Sequence, residues 1–163
     1  MKTLLSFCFA IFIATSLFSQ EKETKIDAKA VPEPVMKKFM AFYGDVKKVK
    51  WEKDSNNYEA TFKQNKIKTS VLLTADGNII EKEWEIKKTE APKAVTDSIT
   101  KNFAGYKVEE FSRIEKGGMT TYEAEVEGKK DGKEIEMKLI YSSDGKLLMK
   151  TEEKEDKKEK KKK

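Results

Sequence analysis

Histidine is absent from this 163-residue chain, and cysteine occurs once, as Cys8. Without the base that would activate a nucleophile, Ser-His and Cys-His catalysis is excluded, and so is any zinc site built on His or Cys. Cys8 lies in an apolar run from Leu4 to Phe18, behind Lys2 and accompanied by the small residues Ala14, Ser16 and Ser19. A positive start, an apolar stretch and small residues for a peptidase make up a secretory signal peptide. At about 15 residues the run is shorter than the roughly 20 that cross a bilayer, and no later segment is apolar enough to do so. Residues 1–19 therefore read as the signal, with cleavage near Ser19 or Gln20, although Ala14 and Ser16 fit the small-x-small pattern better. The exported chain, periplasmic or secreted, has no thiol left, so burial and hydrogen bonding must hold it together.

Strong charge of one sign is also lacking. Lysine and arginine total 34 against 29 acids, and loss of Lys2 with the signal leaves a net of +4. Half of that excess lies in residues 152–163, which hold seven lysines and five acids. The nearly balanced body does not read as a nucleic-acid-binding domain. The terminal stretch has no apolar residue after Met149; it reads as a disordered, solubilising tail, with weak contact to anionic lipid or cell-wall polymer as the alternative.

What is present is an internal repeat. At an offset of 60, Val31-Pro32 matches Ala91-Pro92, Val35 matches Val95, Phe39 matches Ile99 and Trp51 matches Phe111. After a slip at Gly117-Gly118 the offset is 64, and Tyr58-Glu59-Ala60 matches Tyr122-Glu123-Ala124. After a second slip at Lys130-Asp131-Gly132 it is 68, and Asp76-Gly77 matches Asp144-Gly145. Each unit opens with apolar residues three and four apart, behind a proline suited to a first helical turn and ahead of Gly44 or Gly105. The period then becomes two, as in Tyr58, Ala60, Phe62 and in Ile67, Thr69, Val71, Leu73. The Asp-Gly pairs suggest hairpin turns with positive φ at both central residues. The expected fold class is α+β: a tandem repeat of one helix packed on about four antiparallel strands, able to join into one continuous sheet of about eight. The expected organisation is a linker over 20–30, the first repeat over 31–88, the second over 89–151, and the tail over 152–163.

Pro32, Val35, Phe39, Tyr43-Gly44, Val46, Val49, Trp51, Tyr58-Glu59-Ala60, Phe62 and Asp76-Gly77 together resemble the PepSY-like, β-lactamase-inhibitor-like domains of exported bacterial proteins, and the pattern recurs from Pro92 to Gly145. The resemblance implies a helix packed on an antiparallel sheet in tandem units. Its residues belong to core and turns, so it speaks for fold more than for function. Phe111 stands where the first unit has Trp51, the disulfides of the family's secreted inhibitors cannot form here, and no inhibitory loop carries over residue by residue.

The outward strand positions are the candidate binding surface, because a sheet covered by helices on one side leaves its other face available. They are Glu59, Thr61, Lys63, Lys68 and Ser70 in the first unit and Glu123, Glu125, Glu127, Glu136 and Lys138 in the second. Solvent is the competing occupant of such an alternating polar face. Trp84 joins the candidates as an aromatic without a counterpart in the other unit. A glycosidase pair among Glu123, Glu125 and Glu127 is disfavoured by their sharing one strand face without pocket-forming loops. A calcium loop at Asp54-Ser55-Asn56-Asn57 fails because Asn65 stands where a bidentate carboxylate is needed. The expectation is a non-enzymatic module without cofactor, binding a protein or peptide of the cell envelope through its sheet and restraining an exported hydrolase. An envelope-associated structural or adhesion protein using its basic tail is the alternative.

Overall fold

Pro32 and Pro92 start the two helices, each from the N-cap, one position ahead of the first turn where the sequence pattern suggested them. Their φ values of −57° and −56° are those a helix needs, while ψ of 144° and 138° keeps the preceding chain extended. The computed structural model describes residues 24–44 and 46–153. The expected signal peptide and the segment beyond Glu153 lie outside the described residues. Helix α1 (Glu33–Tyr43) buries Val35 and Phe39, and α2 (Lys93–Asn102) buries Val95 and Ile99, in each case a pair four residues apart on one face.

The strands are β1 (Thr24–Ile26), β2 (Lys50–Asp54), β3 (Asn57–Gln64), β4 (Ile67–Thr74) and β5 (Ile79–Ile86), then, after α2, β6 (Lys107–Lys116), β7 (Met119–Lys130), β8 (Lys133–Ser142) and β9 (Leu147–Glu153). They form one antiparallel sheet of nine strands in chain order. The ninth strand is β1, which pairs with β2 inside the stretch expected to be linker. The two units join where β5 pairs with β6, from Glu81 opposite Lys116 to Ile86 opposite Phe111.

Turn chemistry sets the hairpins. Asn65-Lys66, Gly117-Gly118 and Asp131-Gly132 have positive φ at both residues, the form that matches strand twist. At 76–77 and 144–145 only the glycine does, with φ of 82° and 83°, which corrects the expectation for the Asp-Gly pairs. There the turn is wider: Gly77 N–H donates to Thr74 O and Thr74 N–H to Asn78 O, and the register shifts between Leu72 and Leu73. The same shift recurs between Ile140 and Tyr141.

Both helices lie on one side of the sheet, over two apolar clusters. The first gathers Phe39, Trp51 and Phe62, with Phe39 edge-on to Trp51 at 5.1 Å and to Phe62 at 5.2 Å. The second has Ile99, Phe111 and Val126 at these positions, packed with Tyr122, Met137, Leu139 and Tyr141. Trp51 and Phe111, aligned by the repeat, occupy equivalent core positions, each 4% exposed.

Candidate functional site

Strand parity sends Trp51, Ala60, Val71 and Leu139 under the helices, so their neighbours face the other way. That second face is open: among the described residues no helix lies over it. Yet Glu59 is 2% exposed, Glu123 6% and Lys138 8%, with Ser70 and Ser112 also buried. Leu72, Ile114 and Ile140 are buried there too. Register shifts after Leu72, Val108 and Ile140 mark bulges, which increase local twist. Simple solvation, the competing description of this face, does not fit its middle.

The charged groups form a network across four strands. Lys68 Nζ on β4 lies 2.8 Å from Glu110 Oε1 on β6, passing over β5. Burial alone would lower the Lys68 pKa, but the hydrogen bond and charge of Glu110, with Glu125 and Glu83 behind it, outweigh that and raise it. Lys138 on β8 stands 3.3 Å from Glu125 Oε1 and 3.8 Å from Glu123 Oε1, both on β7. Burial, followed by the charge of Glu83, pushes Glu123 up to about 8, with Lys138 opposing and Glu125 and Glu110 adding to it. Glu125 is also raised, chiefly by burial. A shallow depression of about 10 Å³, bordered by Lys68, Ser70, Glu83, Trp84, Glu85, Glu110 and Ser112, has room for one water molecule and no metabolite.

Glu123 and Glu125 are both raised and share Lys138. Among the described residues no group of three or more His, Cys, Asp or Glu is placed to hold a metal ion, and Ser55-Asn56 is a hairpin turn.

Ten of the eleven candidate residues lie on this face. Glu59, Ser70, Glu123 and Lys138 are buried in it, Thr61, Lys68, Glu125 and Glu127 are half-buried, and Lys63 and Glu136 are exposed at its rim. Trp84 borders the depression but differs from the other ten in strand parity. Its partners Thr69 and Arg113 continue the row of Phe62 and Tyr122, which puts it on the helix side, its ring 5.3 Å from the Arg113 guanidinium. Glu83, Glu110, Ser112, Leu72, Ile114 and Ile140 are members the alternation did not reveal. The bulge between Val108 and Glu110 hides Glu110 from simple counting. The unbroken apolar runs Val71-Leu72-Leu73 and Leu139-Ile140-Tyr141 are the sequence feature that marks strands buried on both faces, and the alternating pattern passes over it.

Fold and site together define a tandem helix-on-sheet protein with one open, partly desolvated sheet face. Residues 18–81 and 79–149 each match the family described as "Putative beta-lactamase-inhibitor-like, PepSY-like", and the chain belongs to that family. Solved structures share the fold. A Bacteroides eggerthii structure described as "putative periplasmic proteins" is 19% identical, with a TM-score of 0.67 over 75% of this chain and 88% of that one. A DUF2874 family protein from Bacteroides uniformis is 17% identical, with a TM-score of 0.65 over 74% and 88%. A BLIP-like protein from Bacteroides fragilis is 19% identical, with a TM-score of 0.58 over 74% and 86%. Among curated proteins none matches. No described helix is long and apolar enough to cross a membrane.

Proposed function

We propose that this chain is an exported, non-catalytic binding module that receives a protein loop or an extended peptide on the open face of its sheet. The observation that carries this reading is the face itself, which is buried without a covering helix and rich in carboxylates held by Lys68, Lys116 and Lys138. Its polar groups are already ordered and partly desolvated, so a partner meets a surface that needs little reorganisation. Leu72, Ile114 and Ile140 supply apolar contact among the charges. The excess of carboxylate selects partner elements that carry basic or amide donors. The family description supports restraint of an exported hydrolase as the consequence of binding. Export rests on the pattern from Lys2 to Ser19.

Capture of exported hydrolases by the immobilised chain tests the proposal, run beside Glu127→Lys/Glu136→Lys and beside a chain ending at Glu153. Glu127 and Glu136 sit opposite each other and are not fully buried, so reversal there spares the core. A hydrolase held by the native and shortened chains and lost by the reversal, with unchanged circular dichroism, supports the reading. Capture indifferent to the reversal sinks it, and capture lost only on shortening favours adhesion through the tail.

A further inference from the structure

The junction between the repeats is an edge-to-edge strand pair, and the same edge recurs at the end of the sheet. In the first repeat β5 passes a bulge opposite Leu72 and Leu73, and from Glu81 to Ile86 it carries β6 on its outer side. At the offset of 68, β9 is the counterpart of β5, and it passes the matching bulge opposite Ile140 and Tyr141. The stretch of β9 from Met149 therefore corresponds to the stretch of β5 that carries β6. Among the described residues no strand lies beyond β9. That stretch contains neither proline nor glycine, so its outer row of amide and carbonyl groups is an unbroken template for another strand. The opposite edge of the sheet differs, because the three residues of β1 cap Trp51, Glu52 and Lys53 on β2, the counterpart of β6.

We propose that β9 is a self-association edge, pairing antiparallel with β9 of a second copy about a twofold axis through Thr151. A second copy fits because the strand is complementary to its own reverse. With Thr151 facing Thr151, Lys150 of each chain stands opposite Glu152 of the other, giving two opposite-charge pairs and one threonine pair, the kinds that favour a cross-strand register. Moving the axis by one residue sets Lys150 against Lys150 or Glu152 against Glu152, and like charges directly opposite destabilise a strand pair. Within one chain Glu152 already lies 3.0 Å from Lys130 and 3.2 Å from Lys150, at side-chain exposures of 39%, 52% and 43%. Surface pairs of this kind are weak, so the charges select the register while the backbone ladder supplies the attraction. The junction between the repeats has the same design, with Lys116 on β6 3.0 Å from Glu81 on β5. An axis normal to the sheet keeps all the helices on one side, so the two open faces point the same way. The dimer then offers two partner sites side by side, a consequence that rests on the open face being the partner's site; the pairing itself does not.

In sedimentation equilibrium of the chain from Gln20, the mean mass should rise with concentration toward twice the monomer value and go no further. Lys150→Glu and Glu152→Lys each bring like charges together across the axis, so each variant alone should associate at least about tenfold more weakly. An equimolar mixture of the two should recover the native affinity, and so should Lys150→Glu/Glu152→Lys in one chain. No cysteine follows Cys8, so Thr151→Cys puts a single thiol on the axis. Facing Cα atoms there are about 5 Å apart, within the range of a disulfide. Mild oxidation should link that variant into a dimer and leave Thr24→Cys, on the capped edge, unlinked. A monomeric mass at every concentration overturns the proposal, and so do single variants that associate as the native chain does or a mixture that fails to recover. Growth past the dimer overturns it as well, since β9 would then be adding to the β1 edge of the next copy in an open chain.

Discussion

Lys68 Nζ meets Glu110 Oε1 at 2.8 Å across β5, so an amine of the first repeat is held by a carboxylate of the second. The backbone ladder between β5 and β6 already joins the units; this pair ties the side chains of their open faces as well. With side-chain exposures of 25% and 16% it is screened less than a surface pair. A double-mutant cycle of Lys68→Met and Glu110→Gln, read by urea denaturation, should give a coupling of about 1 kcal/mol. Additive losses would show that the ladder alone holds the repeats together.

Gly77 and Gly145 should tolerate alanine poorly, and for the same reason. Gly77 has φ of 82°, and a Cβ there would stand 2.5 Å from the Pro34 carbonyl oxygen in the first turn of α1. Gly145 has φ of 83° and presses on the Ala94 carbonyl of α2 in the same way. Strain and overpacking together should cost about 3 kcal/mol at each site. Gly105, with φ of 91° and open space around it, should lose only about 1 kcal/mol on the same change. Equal losses at Gly105 and Gly77 in thermal melts would remove the helix contact from the explanation.

This pair of glycines also shows what was legible beforehand. The repeat aligned Asp76-Gly77 with Asp144-Gly145 and Trp51 with Phe111, and the structure puts each pair in equivalent places, because core and turn residues carry local chemistry that a periodic pattern records. The open face was legible only in part. Alternation found Glu59, Glu123, Glu125 and Lys138, but not their burial, which depends on neighbouring strands and so is encoded by no single one. Strand β1 was missed because three residues, Thr24 to Ile26, are too few to show a period.

Trp84 drew notice as an aromatic without a counterpart, and its place on the helix side predicts a structural role. Trp84→Ala should cost about 1 kcal/mol through lost packing and the cation–π contact with Arg113. It should leave capture on the open face unchanged. A variant of native stability that loses capture would return Trp84 to the binding surface.

Glu123 makes stability fall as pH rises. Its pKa is about 8 in the folded chain against an ordinary 4.5, so between those values the folded state keeps a proton that the unfolded state releases. The folded state therefore binds more protons, and unfolding free energy declines across that window. The stabilisation is fully present below about pH 4.5 and gone above about pH 8. Glu123→Gln mimics the protonated carboxyl at every pH, so the variant should match the native chain near pH 4.5 and exceed it by several kcal/mol at pH 8.5. Urea unfolding of both chains across that range measures the difference. A gap that stays constant with pH would mean that Glu123 is ionised throughout, held by Lys138 at 3.8 Å. The burial of this carboxyl would then owe its stability to that ion pair and not to a retained proton.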